Sequence, residues 1–220
     1  MTTRPIRFSI AVAMLAAVSC KDSTAPDVLH IDAVLPSGWL YAGVNATTYV
    51  LGLDHQTVHG GHAALAILGS DTSQARFRGI VQSIKADDYR GKRVRLSAWV
   101  RQTDVRGSDI GLWMRIDGPG VMQGFDNFSS RPLVGTSDWH QVEVILDVPM
   151  DAIGISLGAL MSGSGLFRVD DLKLEVIPDI GPTTNLLVDF PPIPDPSSQY
   201  AGRPRAPTNL DFEQQTSANP

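Results

Sequence analysis

The chain has 220 residues, 43% of them hydrophobic and 19% charged, which leaves room for one globular domain of roughly 150 residues with tails. Its net charge of −5 argues against nucleic acid as the main partner, because a phosphate-binding surface shows a basic excess. A single cysteine excludes a disulfide framework, and no phosphate-loop or dinucleotide fingerprint occurs.

Arg4 and Arg7 precede the apolar stretch from Phe8 to Val18, and small residues then lead to Cys20. A basic start, a short apolar run and a cleavage zone read as an export signal over residues 1–19. The run is too short to span a bilayer. "LAAVSC" resembles a bacterial lipobox, which implies lipidation of Cys20 as the first mature residue. Ala17 departs from the Leu or Val usual three places before that cysteine, and an ordinary secretory signal is the other reading. Lys21, where an Asp would favour inner-membrane retention, resembles outer-membrane sorting. Residues 20–30 then form a polar tether.

From 31 to 178 short β-rich segments alternate with Gly, Asp, Ser and Pro punctuation. They are "TYVLGLD" (48–54), "AALAILG" (63–69), "ARFRGIVQSI" (75–84), "RVRLSAWVR" (93–101), "DIGLWMRID" (109–117), "HQVEVILDV" (140–148), "AIGISLGAL" (152–160) and "GLFRVDDLKLEVI" (165–177). No segment has a convincing helical period. Such a series predicts an all-β, antiparallel jelly-roll β-sandwich. Arg90-Gly91-Lys92-Arg93 reads as a turn with solvated charges. Residues 179–206 are Pro-rich and cannot build a core, so they read as a linker or wrapping tail. "PTNLDFEQQ" regains a strand-like pattern within 207–220.

The ordered set "LPSGW" (35–39), "HGGHAALAIL" (59–68), "YRGKRVRLSAWVR" (89–101), "DWHQVEVILDVP" (138–149) and "FRVDDLKLEV" (167–176) resembles galactose-binding-like jelly-roll modules related to non-catalytic carbohydrate-binding modules. A similar segment also occurs attached to regulatory or peptidase domains in bacterial proteins. Members open with a segment like "N-x-x-F-E" before "GW", whereas here "NLDFE" stands at 209–213. That piece either returns across the tail to the sheet edge or is the remnant of a second module; an uncovered edge is a liability, which favours the return. The resemblance implies a structural calcium held by Glu213 and by Asp170 or Asp171. Calcium takes about six to eight oxygens, which a loop can complete. The other reading is a carboxylate capping a turn.

Strand alternation puts Val94, Leu96, Ala98 and Val100 on one face of 93–101, and Trp99 and Arg101 on the other. In 109–117 the same rule separates Ile110, Leu112, Met114 and Ile116 from Trp113 and Arg115. If 101–110 is a hairpin connection, the two indoles share one sheet face. Trp with Arg supplies a flat apolar surface and fixed donors, as a sugar needs, with Gln82, Gln141 or Glu143 coming from neighbouring strands. Packing under a loop is the alternative. Trp39 and Trp139 read as anchors, and "HGGH" (59–62) as a turn, since zinc wants about three or four ligands. "MSGSG" lacks the nucleophile-elbow spacing. The expectation is a non-enzymatic, outer-membrane-anchored module of the cell envelope that binds carbohydrate or a related ligand. The rival expectation is a structural or protein-interaction module.

Overall fold

The computed structural model describes residues 29–44, 47–70, 76–188 and 191–215. The export signal, Cys20 and most of the tether lie outside the described residues. Among the described residues are eight strands and one short helix. The strands are β1 (Leu40–Gly43), β2 (Tyr49–Asp54), β3 (Ala64–Ser70), β4 (Arg78–Lys85), β5 (Lys92–Gly118), β6 (Val121–Asp126), β7 (Gly135–Val148) and β8 (Gly154–Ile177). The helix is α1 (Ser197–Tyr200).

All pairings are antiparallel, and the two long strands curl the sheet onto itself as a jelly-roll sandwich. In the first layer the order is β1, β4, the start of β8, the end of β5, then β6. In the second it is β2, β3, the end of β8, the start of β5, then β7. Segments 93–101 and 109–117 are therefore not a hairpin. They are halves of one strand that passes from layer to layer, as are the two segments merged in β8.

Close backbone approach makes the crossing. Gly107 pairs with Gly163, and a Cβ on either would stand 2.0 or 1.9 Å from the opposing carbonyl oxygen of Ser162 or Arg106. Only glycine fits there. Thr103, Asp104 and Arg106 look like a turn because they are exposed at this corner, yet the ladder continues through the segment.

The core follows the alternation. Val94, Leu96, Ala98 and Val100 join Ile110, Leu112, Met114 and Ile116 against Leu53, Ile80, Leu157 and Phe167. Each fully buried Leu, Ile or Val stabilises by about 1.5–3 kcal/mol.

After Ile177 the chain wraps the sandwich. Arg93, buried rather than solvated, holds its start by bonding Gly181 O at 2.6 Å and pairing with Asp147 and Asp179. Thr184 joins β7 at Ile145 and Leu186 joins β6 at Phe125; Tyr200 then packs on Gly154. Residues 207–215 meet the opening segment. Trp39 Nε1 donates to Asn209 O at 3.0 Å, Phe212 is fully buried against Trp39, and Pro36 bridges to Gln215. This return is an irregular clasp with one bridge, not a regular edge strand.

Candidate functional site

Odd-numbered residues of the second half of β5, from Asp109 to Asp117, face outward from the first layer, opposite the buried even ones. On the neighbouring β8 the outward row is Ser156, Gly158, Leu160 and Ser162. Gly158 is the partner of Trp113 and leaves room for the indole to cross β8, so that Nε1 donates to Ile80 O of β4 at 3.2 Å. A Cβ at Gly158 would come 3.0 Å from that nitrogen.

Beside the half-buried indole lies a cavity of about 460 Å³. Its apolar wall is Trp113, Phe77, Phe125, Met122, Leu160 and Ala42, and its polar groups are Arg76, Asp109, Arg115, Asn127 and Ser162. Several polar groups are already oriented. Asp109 accepts from Asn127 Nδ2 at 2.8 Å and Ser108 Oγ at 2.7 Å. Arg115 donates from Nε and Nη2 to Asp117 Oδ2 at 3.0 and 2.8 Å. Burial lowers the Arg115 pKa, but Asp117 and Tyr200 outweigh it and hold the guanidinium above its usual value. It stays charged. An apolar pocket with a few fixed polar groups is the usual form of a small-ligand site.

The other tryptophan is elsewhere. Trp99 and Arg101 sit on the outer face of the second layer, so the four residues do not form one surface. Because β5 changes layer between them, its two halves turn their outer faces to opposite sides of the sandwich. Trp99 is stacked under His59, with ring centroids 4.1 Å apart, and Trp139 meets His59 edge-on at 5.7 Å. Arg101 pairs with Asp138 at 3.5 Å. Gln82 shares the inner side of β4 with Ile80 and Ile84 and is buried. Its amide donates to Gly38 O and Thr208 O and accepts from Thr208 N, so it clasps the tail and does not line the cavity.

Asp170, Asp171 and Glu213 do converge, around the loop His59–Ala63. Asp170 Oδ2 accepts from the His59 and Gly60 backbone nitrogens at 2.8 and 3.1 Å, and its Oδ1 from Asp171 N at 2.7 Å. Glu213 Oε1 accepts from His62 N and Ala63 N at 2.7 and 3.1 Å, and Asp171 Oδ2 meets His59 Nδ1 at 2.6 Å. Burial pushes the Asp170 carboxyl up, against the pull of its three N–H donors. Carboxylates engaged this way clamp a loop. Among the described residues no group of three or more His, Cys, Asp or Glu side chains is placed to hold a metal; Asp170 and Glu213, which the resemblance implies as calcium ligands, accept backbone N–H groups here.

Phe77, Phe125, Asp109 and Asn127 were not singled out from the sequence. Their neighbours in the cavity come from strands far away in sequence, and no local period marks them.

No family model matches the chain. It is 37% identical over 153 residues to the uncharacterized HTH-type transcriptional regulator YbfP of Bacillus subtilis (strain 168), a match covering 68% of this chain and 51% of that protein. The chain thus spans about half the length of this curated relative. Among solved structures it is similar to the C-terminal family 22 carbohydrate-binding module of Clostridium thermocellum Xyn10B, at 13% identity and TM-score 0.40, over 64% of this chain and 86% of that one. It is also similar to the CBM22-1 xylan-binding domain of Paenibacillus barcinonensis Xyn10C, at 15% identity and TM-score 0.42, over 67% and 91% of the two chains. A Stig cyclase from Fischerella sp. TAU gives 12% identity and TM-score 0.45, over 71% and 92%.

Proposed function

We propose that this chain is a non-catalytic binding module whose ligand site is the cavity beside Trp113, and that the ligand is a saccharide. The observation that carries the reading is the lining itself. Trp113, Phe77 and Phe125 offer flat apolar faces for the C–H side of a sugar ring. Asp109, Asn127 and Arg115 offer acceptors and donors fixed in advance by their own partners, which lowers the ordering cost of binding. The lipobox-like segment supports export and anchoring to the outer membrane through Cys20.

The match to half of a protein named a transcriptional regulator favours a second reading. In it, a module of this kind reports ligand occupancy to an attached effector.

The test is a glycan array probed with the 21–220 protein and with Trp113→Ala, in calcium and in chelator. Saccharide binding lost in Trp113→Ala supports the cavity. Binding that survives in Trp113→Ala and is lost in Trp99→Ala moves the site to the second layer. A folded protein that binds no glycan moves the reading to an envelope-interaction module.

A further inference from the structure

The cavity and the tail share the outer face of the first layer. Tyr200, at the end of α1, is almost fully buried there, its ring lying where a side chain on Gly154 would stand; a Cβ would come 2.2 Å from it. Its hydroxyl donates to Asp117 Oδ2 at 2.6 Å. With that proton committed, it accepts from Ser156 Oγ at 2.9 Å, and Ser156 in turn accepts from Ser83 Oγ at 2.9 Å. Asp117 is fully buried, and the oxygen that receives Tyr200 is the one that also receives both Arg115 bonds. Its other oxygen, Oδ1, has no partner among the described residues.

One oxygen thus joins a tail tyrosine to a cavity arginine. A buried carboxylate held by Arg115 alone could swing about its Cβ–Cγ bond and take the guanidinium with it. A third, charge-assisted bond from a ring buried against Gly154 fixes the oxygen, and so fixes the guanidinium plane. The tail grips a second wall independently. Leu186 N donates to Phe125 O at 2.7 Å and Asn185 Oδ1 accepts from Phe125 N at 3.0 Å, while Phe125 lines the same cavity.

We propose that Tyr200 is a positioning residue of the cavity, setting the orientation of Arg115 through Asp117, so that the tail is a structural part of the ligand site. The functional meaning rests on the ligand-site reading above, but the test needs no ligand. Phenylglyoxal modifies accessible guanidinium groups, and peptide mapping by mass spectrometry gives the rate at each arginine. In Tyr200→Phe the ring packing stays and the hydroxyl is lost. Arg115 should then label about fivefold faster than in the wild type, the factor a single lost hydrogen bond represents. Arg101, on the opposite face, should not change, and Ser156→Ala, which removes the other partner of Tyr200, should leave Arg115 as it was. If Tyr200→Phe does not fold, Gly154→Ala carries the same comparison, because its Cβ would displace the Tyr200 ring while Asp117 and Arg115 keep their own bonds. An unchanged Arg115 rate in a folded Tyr200→Phe of lowered Tm overturns the proposal and leaves the tail as a latch for stability alone. An empty glycan screen would sink the ligand reading without touching this result, so the two failures are distinct.

Discussion

Arg168 Nε donates to Asp54 Oδ2 at 2.8 Å, joining β8 to β2 across the intervening β3, and both side chains are almost wholly buried. Ala64 and Ala66 on β3, both fully buried, leave the space for this reach. The remaining oxygen, Asp54 Oδ1, accepts from Gln56 N at 2.8 Å and Thr57 N at 3.1 Å, so the carboxylate also shapes the turn after β2. Removing it leaves a buried guanidinium unpaired. Asp54→Asn should destabilise by about 3–5 kcal/mol, read as a fall in the urea midpoint with little change in slope.

The same pair sets a pH dependence. Burial raises the Asp54 pKa, but the Gln56 and Thr57 amides and Arg168 outweigh it and hold the carboxyl below its ordinary value. Asp147 lies low as well, drawn down mainly by its hydrogen bond from Arg93. A carboxyl whose folded pKa is depressed binds fewer protons in the native state than in the unfolded one. Its stabilisation is therefore present above the unfolded pKa of about 4 and is lost as pH falls through the folded value. The urea midpoint should hold near pH 5 and fall as the pH is taken below about 4. Asp54→Asn should show a shallower drop. An identical slope in the variant would mean that other carboxylates drive acid unfolding.

What the sequence exposed and what it hid divide along β5. The inward rows Val94 to Val100 and Ile110 to Ile116 were legible because alternation is a local property of a strand. The continuity between them was not. Asp104 takes a φ of 52°, a conformation that a turn would use, and Gly107 is a residue type that a turn would use, while Arg106 and Gly107 still pair with Ser164 and Gly163. Trp113 was legible as an outward indole, but its company was not, because β6 and β8 reach it through topology. Tyr200 lay hidden for a different reason. A Pro-rich tail has no period, so nothing in it distinguishes an anchor from a solvated ring.

Gly158 keeps Trp113 in place by being absent as a side chain. A Cβ there would meet Ile80 O at 2.0 Å and the indole nitrogen at 3.0 Å. Gly158→Ala should part β8 from β4 and displace the indole, costing about 1–3 kcal/mol as overpacking does. Trp113→Phe, by contrast, gives up only the bond to Ile80 O and part of the cavity wall, and should cost about 1 kcal/mol. Near-UV circular dichroism and thermal melts separate the two. If Gly158→Ala melts as the wild type does, the close crossing of the indole is not maintained in solution.

Glu213 offers a sharper test of what the convergent carboxylates do. Its Oε1 caps the His62 and Ala63 amides, and it can come this near only because residue 61 is glycine. The φ of Gly61 is +56°, and a Cβ there would lie 2.1 Å from Oε1. If the carboxylate is a loop clamp, an acceptor oxygen matters more than charge. Glu213→Ala should then cost about 1–2 kcal/mol and Glu213→Gln well under half of that. Gly61→Ala should cost at least about 1 kcal/mol through backbone strain and the clash. Hydrogen exchange should show the His62 and Ala63 amides losing protection in Glu213→Ala and keeping most of it in Glu213→Gln. Melting temperature should be the same in calcium and in chelator, because the N–H donors already occupy these oxygens. A rise in calcium that Glu213→Gln abolishes would instead assign Asp170, Asp171 and Glu213 to a metal, and the loop would have to turn carbonyls where it now presents amides.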